Sequence, residues 1–149
     1  MNNISHNPTV QEVQSLLTQN DLPTNDLPEL DMAHFYTCGA TGKSQGVIGL
    51  ELCRQDGLLR SFAVLPEARG SGCGAALLGK LEQHATKIGI KNLYLLTNTA
   101  EKYFHNKGFK SIPRELAPKS IRSTQEFSSL CPASATLMHK QMPETITAN

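Results

Sequence analysis

One stretch limits most strongly what this chain can fold into: residues 63–84, AVLPEARGSGCGAALLGKLEQH. An apolar segment runs through a proline to glycines on alternate positions, Gly70, Gly72 and Gly74, and then into a helical pattern. Because glycine adopts left-handed conformations without steric cost, successive backbone N–H groups can converge on one point. The positive end of the helix dipole lies behind them. We therefore predict a main-chain site for a pyrophosphate, beside which Arg69 supplies a fixed positive charge.

Two other nucleotide-binding patterns nearly fit this chain. The phosphate loop of nucleoside triphosphatases needs a glycine, four residues and then Gly-Lys-Ser/Thr between a strand and a helix. Residues 74–81 end in Leu81 instead of a hydroxyl residue, and residues 37–44 begin with Thr37 and connect two predicted strands. A dinucleotide fingerprint, G-x-G-x-x-G, would have Leu77 in place of its third glycine. Nucleotide binding is therefore the weaker alternative.

Hydrophobic periodicity predicts helices that alternate with strands on both sides of the loop. After the glycines, apolar residues share one face of a helix that Gly89 ends in a left-handed turn: Leu77, Leu78, Leu81, Ala85 and Ile88. Another helix is predicted over residues 8–17, and a short one over residues 100–107 begins at a cap of Asn98 or Thr99. Strands are predicted at residues 34–38, 46–53, 58–64, 90–97, 109–112 and 134–140.

Turn chemistry and connectivity determine how these elements assemble. Asp56-Gly57 is a common hairpin turn, so residues 47–64 are predicted to form a β-hairpin. A helix that crosses between two strands usually makes them parallel neighbours, which predicts a parallel pair around the glycine-led helix. We expect an α/β fold with a mixed central sheet, in which an antiparallel N-terminal meander precedes a central βαβ unit.

Length and composition exclude several classes of protein. At 149 residues, we expect a single domain over residues 1–149, with residues 143–149 as a frayed tail. The 14 Lys and Arg balance 13 Asp and Glu without a basic run, which argues against a nucleic-acid partner. No apolar run reaches the roughly 20 residues of a membrane span, and no signal peptide is evident, so a cytoplasmic protein without a membrane partner is predicted. Four cysteines and five histidines lack metal-ligand spacing, so we expect no metal.

The stretch SFAVLPEARGSGCGAALL resembles the signature loop of the GNAT superfamily of N-acetyltransferases, whose Arg/Gln-x-x-Gly-x-Gly/Ala segment holds the pyrophosphate of acetyl-CoA. YLLTNTAEKYFHNKGF resembles the family's next strand and helix. LPTNDL and FSSLCPASATLM resemble small arsenic-resistance N-acetyltransferases, which are related to amino-acid N-acetyltransferases. The resemblance covers residues 10–142.

The resemblance implies a GNAT-like fold and an acetyl-CoA-dependent enzyme. Its acceptor would be the primary amine of a small molecule, either an amino acid or an amino-bearing organoarsenical. A non-catalytic acyl-CoA-binding module is the alternative, and a homodimer stays open. By the same resemblance, the cofactor would contact backbone or side chains of Phe62, Ala63, Val64, Arg69, Gly70, Ser71, Gly72, Cys73, Gly74, Ala75 and Asn98.

Glu51 is the candidate general base that takes a proton from the acceptor amine. In the predicted strand VIGLELC, Ile48, Leu50 and Leu52 share one face, and Glu51 lies on the other face as a carboxylate in an apolar strand. A structural ion pair with Arg60 is the alternative, because the predicted hairpin turn would place the two residues diagonally across the strands.

For the general acid, many family members have a tyrosine at the position that Phe104 occupies in this chain. Tyr103 is adjacent and is a weak candidate, since one residue is about 100° around a helix. Packing of Tyr103 with Ala100 and Phe104 is the alternative. The thiolate could also leave unassisted or take a proton from water.

Substrate selection is expected in the segment that follows residue 112. Arg114 and Arg122 could bind a carboxylate or another oxyanion of the acceptor, and solvated surface arginines are the alternative. Cys131 is a further candidate, with a buried packing thiol as the alternative. Cys73 is expected to pack beneath the loop.

Overall fold

The computed structural model describes residues 4–6, 10–19, 33–40, 43–124, 127 and 134–143. Within them the strands are β1 (Ile4–His6), β2 (Ala33–Ala40), β3 (Lys43–Cys53), β4 (Asp56–Val64), β5 (Asn92–Thr97), β6 (Lys110–Ile112) and β7 (Thr136–Gln141). The helices are α1 (Val10–Gln19), α2 (Cys73–Lys87), α3 (Glu101–Asn106) and α4 (Lys119–Arg122). The strands follow the order β1-β2-β3-β4-β5-β7-β6, which gives the expected mixed sheet.

The chain divides into two compact units. The first comprises Met1–Glu51 and Leu59–His84, and the second comprises Leu52–Leu58 and Ala85–Asn149. In the described residues, no helix is both long enough and apolar enough to span a membrane.

The first unit contains the antiparallel meander that the sequence predicts. β2 pairs with β1 and with β3, both antiparallel. Within this unit, α1 packs through Val13, Leu16 and Leu17, which cluster with Val47 and Ala63. Burying such an apolar stripe is what stabilises a helix of this length in water. β1 is an additional edge strand that the sequence did not predict.

α2 buries the face predicted for it, with one exception. Leu77, Leu78 and Leu81 are each 3% exposed or less. Ile88 is 43% exposed instead of buried, because α2 ends at Lys87 and Gly89 turns the chain with a φ of 90°. The glycine stop is confirmed, and the last apolar position predicted for the helix is wrong.

The second unit contains the predicted parallel pair. Asp56–Leu58 of β4 pairs in parallel with the start of β5, and β7 pairs antiparallel with both β5 and β6. Its core includes Leu58, Tyr94, Ile121 and Leu137.

The hairpin turn between β3 and β4 is not the one predicted. It consists of Arg54 and Gln55, and Asp56 and Gly57 belong to β4. Gly57 is paired with β5, and the Asp56 carboxylate accepts a hydrogen bond from Asn92 Nδ2 at 3.2 Å. Strand pairing with β5 therefore outweighs local turn preference, and Arg54 adopts a left-handed φ of 62° instead.

A buried tyrosine links β2 to α2 within the first unit. The Tyr36 side chain is 1% exposed, and its hydroxyl is hydrogen-bonded to Nδ1 of His84. The His34 ring lies edge-on to the His84 ring, with 4.7 Å between centroids. Burial raises the pKa of Tyr36 from 10.0 to about 12.

We predict that Tyr36 destabilises the fold in alkali. The stability that comes from its pKa being higher in the folded than in the unfolded chain is fully present below pH 10.0 and is lost as the pH rises through about 12. The loss is about 3 kcal/mol, since one pKa unit corresponds to about 1.4 kcal/mol. Urea unfolding across this pH range should therefore show a steeper fall in the free energy of unfolding for the wild type than for Tyr36→Phe. Equal slopes would contradict the burial of this hydroxyl.

Candidate functional site

The glycine loop (residues 69–75) connects β4 to α2 after a short 3-10 turn, Pro66–Ala68. Gly70 and Gly72 have left-handed φ angles of 85° and 92°. Gly74 is instead the second residue of α2. Two of the three alternate glycines therefore provide the backbone conformations that other residues rarely adopt.

The first turn of α2 provides main-chain donors next to these glycines. The first intrahelical hydrogen bond runs from the Ala76 N–H to the Gly72 carbonyl at 3.0 Å, so the N–H groups of Cys73, Gly74 and Ala75 precede it. The Cys73 N–H donates to Ser71 Oγ over 3.4 Å, which is long for a hydrogen bond. The first turn of this fully described helix contains no acidic residue. The arrangement therefore suits an anion.

Arg69 ties the start of the loop to the end of β4. Its Nε donates to the Val64 carbonyl at 3.1 Å, and its N–H donates to the Pro66 carbonyl at 3.3 Å. The side chain is exposed. The positive charge predicted at the loop is thus present, and one of its donors is used to hold the loop itself.

The end of α2 that carries the loop is anchored in a space left by a glycine in β3. A Cβ atom built on Gly46 would lie 2.7 Å from Cys73 Sγ, 3.1 Å from Leu77 Cδ1 and 3.2 Å from the Ala63 carbonyl oxygen. The Cys73 side chain is 1% exposed. It packs beneath the loop as predicted, and it does so because Gly46 has no side chain.

Comparison with known families identifies the family to which this chain belongs. Residues 31–111, more than half of the chain, match the acetyltransferase (GNAT) domain. The chain belongs to the GNAT family. An amino-acid acetyltransferase of Pseudomonas syringae pv. tomato is 34% identical over 73 residues, which are 49% of this chain and 17% of the relative. The amino-acid acetyltransferase of Ralstonia nicotianae is 32% identical over 85 residues, 56% of this chain and 19% of the relative. The matches span less than a fifth of these curated relatives' length.

Solved GNAT structures share the fold across almost the whole chain. N-acetylglutamate synthase from Neisseria gonorrhoeae, complexed with coenzyme A and N-acetyl-glutamate, has a TM-score of 0.79 at 18% identity and covers 97% of this chain and 36% of its own. A GNAT-family acetyltransferase from Staphylococcus aureus has a TM-score of 0.77 at 17% identity, and covers 96% of this chain and all of its own. At such identities, the likeness establishes a common fold.

In this GNAT chain, Glu51 forms the ion pair that was the alternative to its role as a base. Arg60 Nη1 lies 3.0 Å from Glu51 Oε1, and the two side chains are 0% and 15% exposed. Arg60 Nε also donates to Ser61 Oγ at 3.2 Å, and Ser61 has a left-handed φ of 55°. The pair was anticipated, whereas the complete burial of Arg60 was not. An arginine inside the apolar run LLRSFAV was the available signal.

The candidates that follow β5 lie in the second unit. Asn98 is exposed and does not cap α3; Thr97 Oγ1 instead accepts the Ala100 N–H at 3.0 Å. The predicted cap by Asn98 or Thr99 is therefore wrong: α3 begins after Ala100, and no side chain caps it.

Tyr103 and Phe104 are adjacent in α3 but differ in burial. Phe104 is the core residue, 5% exposed, and its ring centroid lies 5.6 Å from that of Phe109. Tyr103 is 37% exposed and is not a core residue, but its ring packs edge-on against that of Phe104 as expected, with 5.3 Å between the ring centroids. Partial burial still raises the pKa of the Tyr103 hydroxyl above its ordinary value.

The two candidate acceptor arginines differ in how they are engaged. Arg114 Nη1 donates to the Ala135 carbonyl at 2.8 Å, and its guanidinium lies 4.6 Å from the centre of the Phe127 ring. Arg122 is exposed in α4. Cys131 lies outside the described residues. No group of three or more metal-ligating side chains is found in the described part of the chain, and metal independence stays a prediction.

We predict that Gly46→Ala weakens coenzyme A binding without contacting it. The new Cβ must displace Cys73 and with it the first turn of α2. We expect a stability loss of about 1–3 kcal/mol from overpacking, and an affinity loss of about tenfold by calorimetric titration, if the displaced amides cost about 1.4 kcal/mol.

Gly79→Ala is the matched control for this substitution. A Cβ at Gly79, in the exposed middle of α2, would meet nothing within 4 Å. It should stabilise the chain by about 0.5–1 kcal/mol and leave the affinity unchanged. Equal affinities for the two variants would contradict the anchoring role of Gly46.

Proposed function

We propose that this chain transfers the acetyl group of acetyl-CoA to the primary amine of a small molecule. The observation that carries the proposal is the glycine loop, in which left-handed Gly70 and Gly72 lead into the first turn of a 15-residue helix, where the N–H groups of Gly74 and Ala75 precede the first intrahelical hydrogen bond. Membership of the GNAT family supports the same cofactor, because structures that share the fold were solved with coenzyme A.

The residues around the loop fit the pyrophosphate of this cofactor. The N–H groups of Gly74 and Ala75 would donate to its oxygens, and Arg69 would add a positive charge. Phe62, Ala63 and Val64 are the last three residues of β4, and their backbone would bind the pantetheine arm as an added strand. Asn98 is a further proposed contact. The cofactor, when bound, supplies an acetyl thioester that a neutral amine can attack.

Catalysis would then depend mainly on positioning. A backbone N–H of β4 would polarise the thioester carbonyl, and an amine held nearby would attack with much of the orientational entropy already lost. Tyr103 is the proposed donor of a proton to the departing thiolate, because its hydroxyl is partly exposed and a tyrosine is protonated at neutral pH.

An amino acid is the acceptor class that we propose first. Relatives of this chain are named amino-acid acetyltransferases, and one structure with the same fold contains N-acetyl-glutamate. Arg122 is the better placed of the two candidate arginines to bind a carboxylate, because Arg114 already bonds the Ala135 carbonyl. Cys131 and an amino-bearing organoarsenical acceptor also remain proposals.

A second candidate function is an acyl-CoA-binding module without turnover. Phe104, buried at the position where many family members have a tyrosine, favours it, because a phenyl ring cannot donate a proton.

The decisive experiment measures free thiol released from acetyl-CoA in the presence of amines. The panel should include amino acids, simple alkylamines and amino-bearing organoarsenicals. Amine-dependent release is expected with at least one of them. Heat on titration with coenzyme A but no release would support the binding module, and neither signal would contradict both proposals.

Gly70→Ala and Gly89→Ala form a matched pair for the same assay. Both positions have left-handed φ angles, 85° and 90°, and at both an added Cβ meets nothing within 4 Å. Each substitution should cost about 1 kcal/mol of stability. A rise of about tenfold in the KM for acetyl-CoA, equivalent to about 1.4 kcal/mol, is expected for Gly70→Ala alone.

Glu51→Gln tests the role of the carboxylate. We propose that the ion pair with Arg60 is structural, so the substitution should destabilise the chain by about 3 kcal/mol through the unpaired buried guanidinium. The kcat at low temperature and its pH profile should change little, as in the exposed control Glu115→Gln. A fall in kcat of about 100-fold or more, with loss of the acidic limb of the profile, would instead establish Glu51 as the general base.

A further inference from the structure

Two buried thiols meet under the glycine loop. Cys38 in β2 is 0% exposed, and Cys73, the first residue of α2, is 1% exposed. Both are free thiols. The two thiols are neighbours, since Cys38 contributes to the raised pKa of Cys73. Gly46 is the strand partner of Cys38, and its missing side chain makes the space that Cys73 Sγ occupies.

These thiols are unreactive while the loop is closed. Burial, together with Cys38, raises the pKa of Cys73 from 9.0 to about 12, so the reactive thiolate is scarce at neutral pH. Oxidation therefore requires local opening of the loop, which is exposed at Gly70, Ser71 and Gly72. A ligand bound to the closed loop would oppose that opening.

We propose that Cys38 and Cys73 form a redox modification site, at which a peroxide converts them to a disulfide that disables the glycine loop. The Cys73 thiolate attacks one peroxide oxygen, which forms a sulfenic acid and releases water. The Cys38 sulfur then attacks the sulfenic sulfur, and the second water leaves as the disulfide forms. Two thiols are oxidised, and one hydrogen peroxide is reduced to two waters.

The disulfide alters the loop because of its length. An S–S bond of about 2.05 Å is far shorter than a contact between two thiols. Its formation draws the first residue of α2 towards β2 and moves the adjacent N–H groups of Gly74 and Ala75. The loss of affinity for coenzyme A rests on the function proposed above, whereas disulfide formation does not.

Peptide mapping of the whole chain tests the site directly. Trypsin cleaves after Lys and Arg, so each cysteine lies on its own peptide: Cys38 on 1–43, Cys53 on 44–54, Cys73 on 70–80 and Cys131 on 123–140. After hydrogen peroxide treatment, non-reducing mass spectrometry should find peptides 1–43 and 70–80 linked, and dithiothreitol should separate them. The linkage should form faster at higher pH and more slowly with coenzyme A present.

Two variants separate this site from general oxidation. Cys38→Ala should bind coenzyme A as the reduced wild type does, form no linked peptide and keep its affinity after peroxide treatment. The buried control Cys53→Ala should form the linkage and lose about tenfold or more in affinity. Another cysteine pairing, no linkage, or a linked wild type with unchanged affinity would overturn the proposal. Linkage in a chain that binds no coenzyme A even when reduced would refute the proposed function and the loop-disabling role, but not the thiol pair.

Discussion

The junction between β4 and the N-terminus of α2 determines what this protein can bind. The donors at this junction are main-chain N–H groups, so their positions depend on backbone conformation and on how the helix is held. Arg69 ties the loop to the Val64 carbonyl, and Cys73 anchors the helix in the space above Gly46. Neither contact uses the N–H groups of the first turn that lie beyond Cys73. These contacts therefore hold the junction without using the main-chain groups that we propose for the anion.

The buried ion pair of Arg60 and Glu51 lies between strands β3 and β4 and uses none of the groups of the glycine loop. Arg60 is completely buried, and transfer of its charge from water costs several kcal/mol unless a partner and further hydrogen bonds offset the cost. Glu51 and Ser61 provide both. The carboxylate of Glu51 thereby offsets the cost of burying Arg60. An anion at the loop depends instead on neutral amides and on exposed Arg69, which desolvate at lower cost.

The parts of the fold that the sequence predicts correctly are those set by local conformational preference and by the connectivity of successive elements. The loop glycines, the buried face of α2 and the parallel pairing of β4 with β5 follow from local conformational preference and connectivity. The prediction of the hairpin turn was wrong because the position of the turn depends on pairing with β5, which is distant in sequence. Asp56 and Gly57 have the better turn chemistry, but they gain more from pairing with β5, and the turn moves to Arg54 and Gln55.

The candidate site likewise has a part that local sequence predicts and a part that depends on contacts between distant segments. A pyrophosphate site made of backbone groups needs only glycines and a helix start, and both are visible in one short stretch of sequence. Contacts such as that of Cys38 with Cys73 join distant segments, and no periodicity encodes them. Acceptor recognition is also of this second kind, because it would rely on side chains such as Arg122, which lies far from the loop in sequence. Acceptor preference can therefore change through a few side chains, while the cofactor loop stays as it is.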